Sequence, residues 1–323
     1  MSKKTKMWLA GAFSLTLIGC VILGGVMTVL GWDFSKLSTV SYETNDYTVR
    51  EDFRHISVVT KTANVVLVAT EDTKASVVCH EQKSLKHRVT VADGTLTVEV
   101  VDVRKWCEYI GISFGSPCIT VYLPRGEYGV LSVRSDTGDV DVPKDFRFER
   151  IDIAGSTGDV TNGASASEAV KIKTSTGHIR VENISAQTLE FSVSTGGITA
   201  SGVACEEDMT LCVSTGRTVL TDVTCQNLTS SGSTGGISLK NVIVSQTLSV
   251  RRSTGDVTFD GCDGAEIDVE TDTGDVTGCL LTDKVFLTQT DTGRVSVPET
   301  VTGGPCRITT DTGDIRITVS RRA

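Results

Sequence analysis

The sequence predicts an all-β chain: a parallel β-solenoid (β-helix) of about ten coils of 19–20 residues, with a β-rich N-terminal cap and one N-terminal transmembrane helix. Three observations carry this prediction. The dipeptide Thr-Gly recurs ten times at intervals of 19 or 20 residues, flanked by columns of apolar residues at fixed offsets. Gly is abundant at 31 residues whereas aromatic residues make up only 5%, which suits a narrow interior crossed by many turns. Residues 7–32 contain no charged side chain.

The 323 residues carry 31 Lys+Arg against 40 Asp+Glu, a formal charge of −9. Phosphate backbones are bound by clustered Lys and Arg, so this balance argues against a nucleic-acid partner. Apolar residues at 39% and charged ones at 22% describe a folded chain rather than a disordered one.

The apolar segment comes first. A helix over residues 7–32 spans roughly 37 Å, enough for a hydrocarbon core of about 30 Å. Trp8 and Trp32 stand at its two ends, where interfacial aromatics sit. Lys3, Lys4 and Lys6 precede it and Lys36 alone follows closely, so the positive-inside rule keeps residues 1–6 in the cytoplasm and sends the remainder across. No small-residue cleavage site follows the apolar run, which favours an uncleaved anchor over a secretory signal. Leu17-Ile18-Gly19-Cys20 has the form of a lipoprotein cleavage box, but about ten more membrane-grade residues follow Cys20. Residues 33–39 read as a linker.

Residues 40–125 are β-rich but outside the repeat. Strands are expected over 56–60, 65–69, 75–79, 89–91, 96–101 and 119–123, with Asp93-Gly94 as a tight turn. A solenoid end exposes unpaired backbone, so this region is expected to act as a cap, either as degenerate coils or as an antiparallel meander.

The repeats occupy 126–323. Their corner glycines are Gly138, Gly158, Gly177, Gly196, Gly216, Gly235, Gly255, Gly274, Gly293 and Gly313, each preceded by Thr, and each Thr by Ser or Asp. Seven positions before the glycine every residue is apolar, from Leu131 to Cys306. Five before, only Ser230 and Thr288 depart, and two after, all are β-branched, from Val140 to Ile315. Apolar residues two apart mark a strand with one buried face, and the Ser/Asp-Thr-Gly run supplies a corner. Consecutive coils are expected to stack at about 4.8 Å, with Arg316, Arg321 and Arg322 placing charge on the last strand to discourage end-to-end pairing.

The corners Ser156–Val160, Ser253–Val257 and Asp272–Val276, with the entry run Ile119–Pro124, resemble the bacterial "putative adhesin" β-strand-repeat family, a domain of unknown function, over about 40–320. The resemblance implies a single-anchor cell-envelope protein with a β-helical body.

Asp-Thr-Gly triplets at Asp136, Asp272, Asp291 and Asp311 have the aspartic-protease form, but that chemistry needs two carboxylates sharing a proton, and six coils carry Ser there. Asp139, Asp159, Asp256, Asp275 and Asp314 form an acidic column that could attract weakly bound divalent cations, though His178, Arg217 and Arg294 interrupt it. The even spacing leaves no insertion to wall a catalytic cleft, so no enzyme activity, cofactor or resident metal is expected. Cys79, His80 and His87 have zinc-ligand chemistry, but strand alternation puts Cys79 and His80 on opposite faces. Cys205 and Cys225 both lie nine residues after their glycine and should stack within disulfide range, while Cys107 and Cys118 flank a Gly-rich loop and form a second candidate pair.

The leading functional expectation is a non-enzymatic, membrane-anchored cell-envelope protein, an adhesin or surface-binding rod with an unidentified envelope, surface or membrane-protein partner. A second is an envelope sensor or accessory protein acting on a membrane partner through the helix or the cap. A third is a bactofilin-like scaffold that polymerises end to end.

Overall fold

The computed structural model describes residues 2–33, 36, 40–102 and 115–320. Helix α1 (Lys3–Val29) starts four residues before the apolar run, because the Ser2 hydroxyl accepts the Thr5 backbone N–H and caps it. Two of its hydroxyls bond back along the helix: Thr16 Oγ1 donates to the Ala12 carbonyl at 3.0 Å and Thr28 Oγ1 to the Gly24 carbonyl at 2.7 Å. The helix is long and apolar enough to cross a membrane.

The described strands after it form one continuous β-solenoid with its cap. In the N-terminal region lie β1 (Tyr42–Thr48), β2 (His55–Thr60), β3 (Asn64–Thr70), β4 (Ser76–Gln82), β5 (Leu85–Ala92), β6 (Thr95–Asp102) and β7 (Cys118–Pro124), followed by β8 (Gly126–Thr137) and β9 (Val140–Val142) on either side of Gly138. The expected turn is there: Asp93 and Gly94 have φ of 49° and 70° and join β5 to β6 with Ala92 opposite Thr95.

The cap combines both forms that the sequence allowed. β2 and β3 make a degenerate coil, with Ile56 against Leu131 and Val65 against Val140. That register sets Ala63 where later coils carry glycine and Asn64 where they carry aspartate. β6 and β7 form a second degenerate coil outside it. Antiparallel strands then close the end: β5 on β6, β4 on β7, and β1 on β4. Chain order and stacking order therefore differ, since β2 and β3 lie between β6/β7 and the later β8/β9.

From β8 onward each coil has three sides. The long strand before the corner glycine buries positions such as Leu131 and Val133, and the short strand after it buries Val140 and Val142. A second corner falls six residues after the glycine, where Asn183, Gly202, Asp222, Asn241 and Gly261 hold φ of 53–65° in five successive coils. Asn, Asp and Gly tolerate that left-handed conformation best. A third short side follows and buries pairs such as Val203 and Cys205, or Val223 and Cys225.

The C-terminal end corrects one expectation. The strand Gly304–Thr312 pairs with Val257–Thr273 on one side and with Lys284–Thr292 on the other. Ile315–Val319 likewise sits between Val276–Leu280 and Val295–Ser296. The coil around Gly293 is thus the outermost layer, and the last strand in the chain is interior. Arg316 does not guard an edge: it pairs with Asp314 in its own coil at 2.9 Å and with Asp275 of the neighbouring coil at 3.6 Å. Arg321 and Arg322 lie outside the described residues. This explains why Phe286 is only partly buried and Val295 is 45% exposed, although both occupy core columns.

The corner glycine is required twice over. Nine of the ten have φ between 119° and 159°, and a Cβ on Gly216 would overlap the carbonyl oxygen of Gly196 in the preceding coil. Gly216→Ala should cost about 2–4 kcal/mol, read by chemical denaturation of the full-length protein in detergent. Gly126→Ala, whose Cβ meets nothing within 4 Å, should stay within about 0.5 kcal/mol.

Candidate functional site

The acidic column after the corner glycines has a defined task. Asp139 Oδ1 accepts the Asp159 backbone N–H at 2.8 Å, and Asp159 Oδ1 accepts that of His178 at 2.8 Å. At the other end Asp256 accepts from Asp275, Asp275 from Asp314, and Asp314 from Arg294, at 2.8–2.9 Å. The chain begins at Asn64, whose side-chain oxygen accepts the Asp139 N–H. Each side chain satisfies a donor that the corner takes out of the β-ladder. The Arg294 backbone N–H, then its guanidinium, holds the Asp314 carboxyl below the usual carboxylate range. The acids of the Asp-Thr-Gly triplets stand one step outward, all exposed.

The outer surface of the long strands has two characters. Over the first coils it is a ladder of cross-strand ion pairs: Arg134–Asp152, Arg150–Glu168, and Lys171 and Lys173 on Glu190. Charges resume where Arg251 meets Asp268 and Glu270. Between these stretches lie uncharged side chains, including Ser194, Thr210, Cys212, Ser214 and Ser233.

Cys79 and His80 face opposite ways, as strand alternation predicts, so the trio Cys79, His80 and His87 does not converge. His80 points away from the core, stacked on Tyr42 with ring centroids 5.4 Å apart. Alternation along β4 instead puts Glu81 on the inner face with Cys79, and β5 brings His87 to them, so that the ligand atoms of these three lie within 4.8 Å of one another. The group is already bonded: His87 Nδ1 meets Glu81 Oε2 at 2.7 Å, its Nε2 meets Thr60 Oγ1 at 3.0 Å, and Asn45 donates to Glu81 Oε1 at 2.8 Å. It serves as a buried polar pin joining β1, β2, β4 and β5. Binding a metal there would require the imidazole and the carboxylate to exchange these partners for the ion. The signal missed in the sequence is the i, i+2 spacing of Cys79 and Glu81.

Cys205 and Cys225 stack as expected, one residue beyond the Ala204–Thr224 pair, and both are free thiols. Cys205 Sγ donates to the Gln187 carbonyl at 3.3 Å. Burial pushes the Cys205 thiol up to about 11 and those of Cys79, Cys225 and Cys306 up to about 12. Cys107 lies outside the described residues; its expected partner Cys118 is half-buried on β7. Cys212 is the exposed solenoid thiol among the described residues.

Two predictions follow from these contacts. Asp256→Ala should lose about 1.5–3 kcal/mol by denaturation, since it orphans the Asp275 N–H, whereas Asp136→Ala on the exposed rim should be near neutral. In the folded reduced protein, maleimide should modify Cys212 well before Cys79, Cys205, Cys225 or Cys306, as mapped by peptide mass spectrometry. A crosslinked Cys205–Cys225 peptide pair after expression in an oxidising compartment would demonstrate the bridge that stacking permits.

Comparison with known proteins gives the family. The Toastrack DUF4097 model matches residues 53–211 and again 206–323. Three solved structures are similar to the chain at low identity. A protein called a "putative adhesin" from Bacteroides fragilis NCTC 9343 has a TM-score of 0.44 and 16% identity, over 74% of this chain and 97% of that one. Another so called, from Parabacteroides merdae ATCC 43184, has a TM-score of 0.47 and 12% identity over 75% and 97%. A "putative lipid binding protein" from Parabacteroides distasonis ATCC 8503 has a TM-score of 0.47 and 14% identity over 87% and 98%. No curated protein matches the chain. With its model matched twice in tandem over nearly all of the chain beyond the helix, the chain belongs to the Toastrack DUF4097 family.

Proposed function

We propose that this protein is a non-enzymatic, single-pass component of the cell envelope, whose solenoid stands outside the cytoplasm and binds an envelope or external partner through its flat outer faces. One observation carries the reading. The side chains of α1 are almost all exposed: Trp8, Phe13, Leu15, Val21 and Ile22 are all more than 60% accessible, with no protein layer covering them. A 27-residue helix that is apolar from Met7 onward and exposed along nearly all of that run is suited to lipid, while the solenoid it carries has paired charges on its surface and a closed apolar core. Lys3, Lys4 and Lys6 at the start of the helix support a cytoplasmic N-terminus. The names given to the similar structures agree with a surface role.

Native Cys212 makes the test direct. An impermeant maleimide applied to intact cells should label the protein, and Cys212→Ser should remove the label from the peptide that carries residue 212. Labelling only after lysis would overturn the orientation and leave an intracellular role.

A specific observation favours end-to-end assembly as a second reading. The outermost strand Lys284–Thr292 has a partner on one side only among the described residues, and it exposes Leu287 at 52%. Unpaired edges of this kind template further strands. Sedimentation of the detergent-solubilised protein should then show concentration-dependent oligomers that Leu287→Lys abolishes. A monomer at every concentration would discard this reading.

A further inference from the structure

Among the described residues the repeat buries two cations, Lys284 and Arg252, each 4% exposed; Lys284 has a carboxylate partner, Asp263 at 2.7 Å, and Arg252 has none. Three residues before the corner glycine the chain faces inward, and nine coils place a small or β-branched residue there: Ser, Gly, Thr or Val. The tenth places Arg252, which is 4% exposed. Its surroundings depart from the repeat in ways that accommodate it. Ser230 occupies a column that is otherwise apolar in all coils but one, and Thr218 a column that is otherwise Val or Ile. Gly232, in the adjacent strand, leaves the space into which the side chain passes: a Cβ there would lie 2.6 Å from Arg252 Nη1.

The contacts are all to neutral oxygens. Arg252 Nη2 donates to Ser230 Oγ at 2.8 Å and to Thr218 Oγ1 at 3.3 Å, and Nη1 donates to the Arg251 carbonyl at 3.1 Å. A guanidinium has five N–H donors, so these three bonds leave two without a partner among the described residues. No carboxylate among those residues pairs with it, and burial holds its pKa below the usual arginine value. A buried cation with no counter-charge is costly to a fold, so an arginine in place of the usual small residue calls for compensation from elsewhere.

Immediately outside lies a depression of about 370 Å³. Arg252 and Gly232 line it together with Cys212 and the hydroxyls of Ser214, Ser231 and Ser233. It lies where the uncharged stretch of the outer face meets the charged one. On one rim are Glu270 and Asp272, and Arg251 already engages Glu270 at 3.2 Å. Arg252 and three serines lining one depression have the donor types that hold phosphate and carboxylate groups.

We propose that this depression is an anion-binding site, in which Arg252 and the surrounding serines hold a small oxyanion such as a phosphate or carboxylate group. The bound anion supplies the missing counter-charge. The proposal is independent of which side of the membrane the solenoid occupies.

Inorganic phosphate is the probe, titrated into the full-length protein in detergent by calorimetry against chloride at equal ionic strength. Saturable binding is expected in the wild type, weakened at least about tenfold by Arg252→Met. Replacing a buried charge with an apolar side chain of similar volume generally preserves folding. Should that variant fail to fold, Ser231→Asp keeps Arg252 in place and adds a negative charge at the depression, with the same expected loss. Absence of saturable binding in the wild type would overturn the proposal, as would equal affinity in the variant that folds.

Discussion

The structure depends on backbone meeting backbone at the corner glycines. Gly138 donates its N–H to the Thr157 carbonyl, Gly158 to Thr176, Gly216 to Thr234 and Gly255 to Thr273, at 2.8–2.9 Å. At this point successive coils approach so closely that a Cβ on one glycine would collide with the carbonyl of the last. The 19- or 20-residue period follows from that contact, because every coil must return to the same point one layer further on. It also sets the chemistry around the corner. The aspartate after the glycine binds the next coil's N–H, so a column that looks available for ligands is used by the fold itself. No coil has partners for its own backbone, and stability is therefore a property of the stack.

A stack held this way is vulnerable at its ends, and both ends depart from chain order. At the N-terminal end the β2–β3 layer is inserted beneath β6 and β7, and antiparallel strands then cover the outer edge. At the C-terminal end the last described strands enter between two earlier layers, which gives Gly304–Thr312 hydrogen-bonded neighbours on both sides. The two solutions differ in consequence. The first closes the solenoid, with the polar pin of Cys79, Glu81 and His87 inside it. The second leaves Lys284–Thr292 as an outer edge among the described residues.

Function then has to be sought where the repeat is broken rather than where it is regular. Charges along the long strands are mostly paired with their neighbours in adjacent coils, and such exposed pairs contribute little individually. The breaks cluster around Arg252, where three neighbouring columns change residue type together. A regular solenoid supplies a rigid frame in which a few substitutions can set a site without disturbing the layers above and below.

Much of this was legible in the sequence. Ten Thr-Gly corners and their apolar columns determine the solenoid, the coil length and the inward positions, because a repeated local requirement leaves a repeated local signature. The apolar helix and the Asp93-Gly94 turn are legible for the same reason. Only tertiary structure decided the order of layers at the two ends, since Gly293 and Gly313 carry the same motif and no local feature states which lies outside. It also decided that Glu81 rather than His80 joins Cys79 and His87, which rests on the face that β4 presents to β5. Ser230 and Thr218 were visible as irregularities one at a time. That they surround one arginine is a matter of stacking, in which residues 22 and 34 positions from Arg252 become its neighbours.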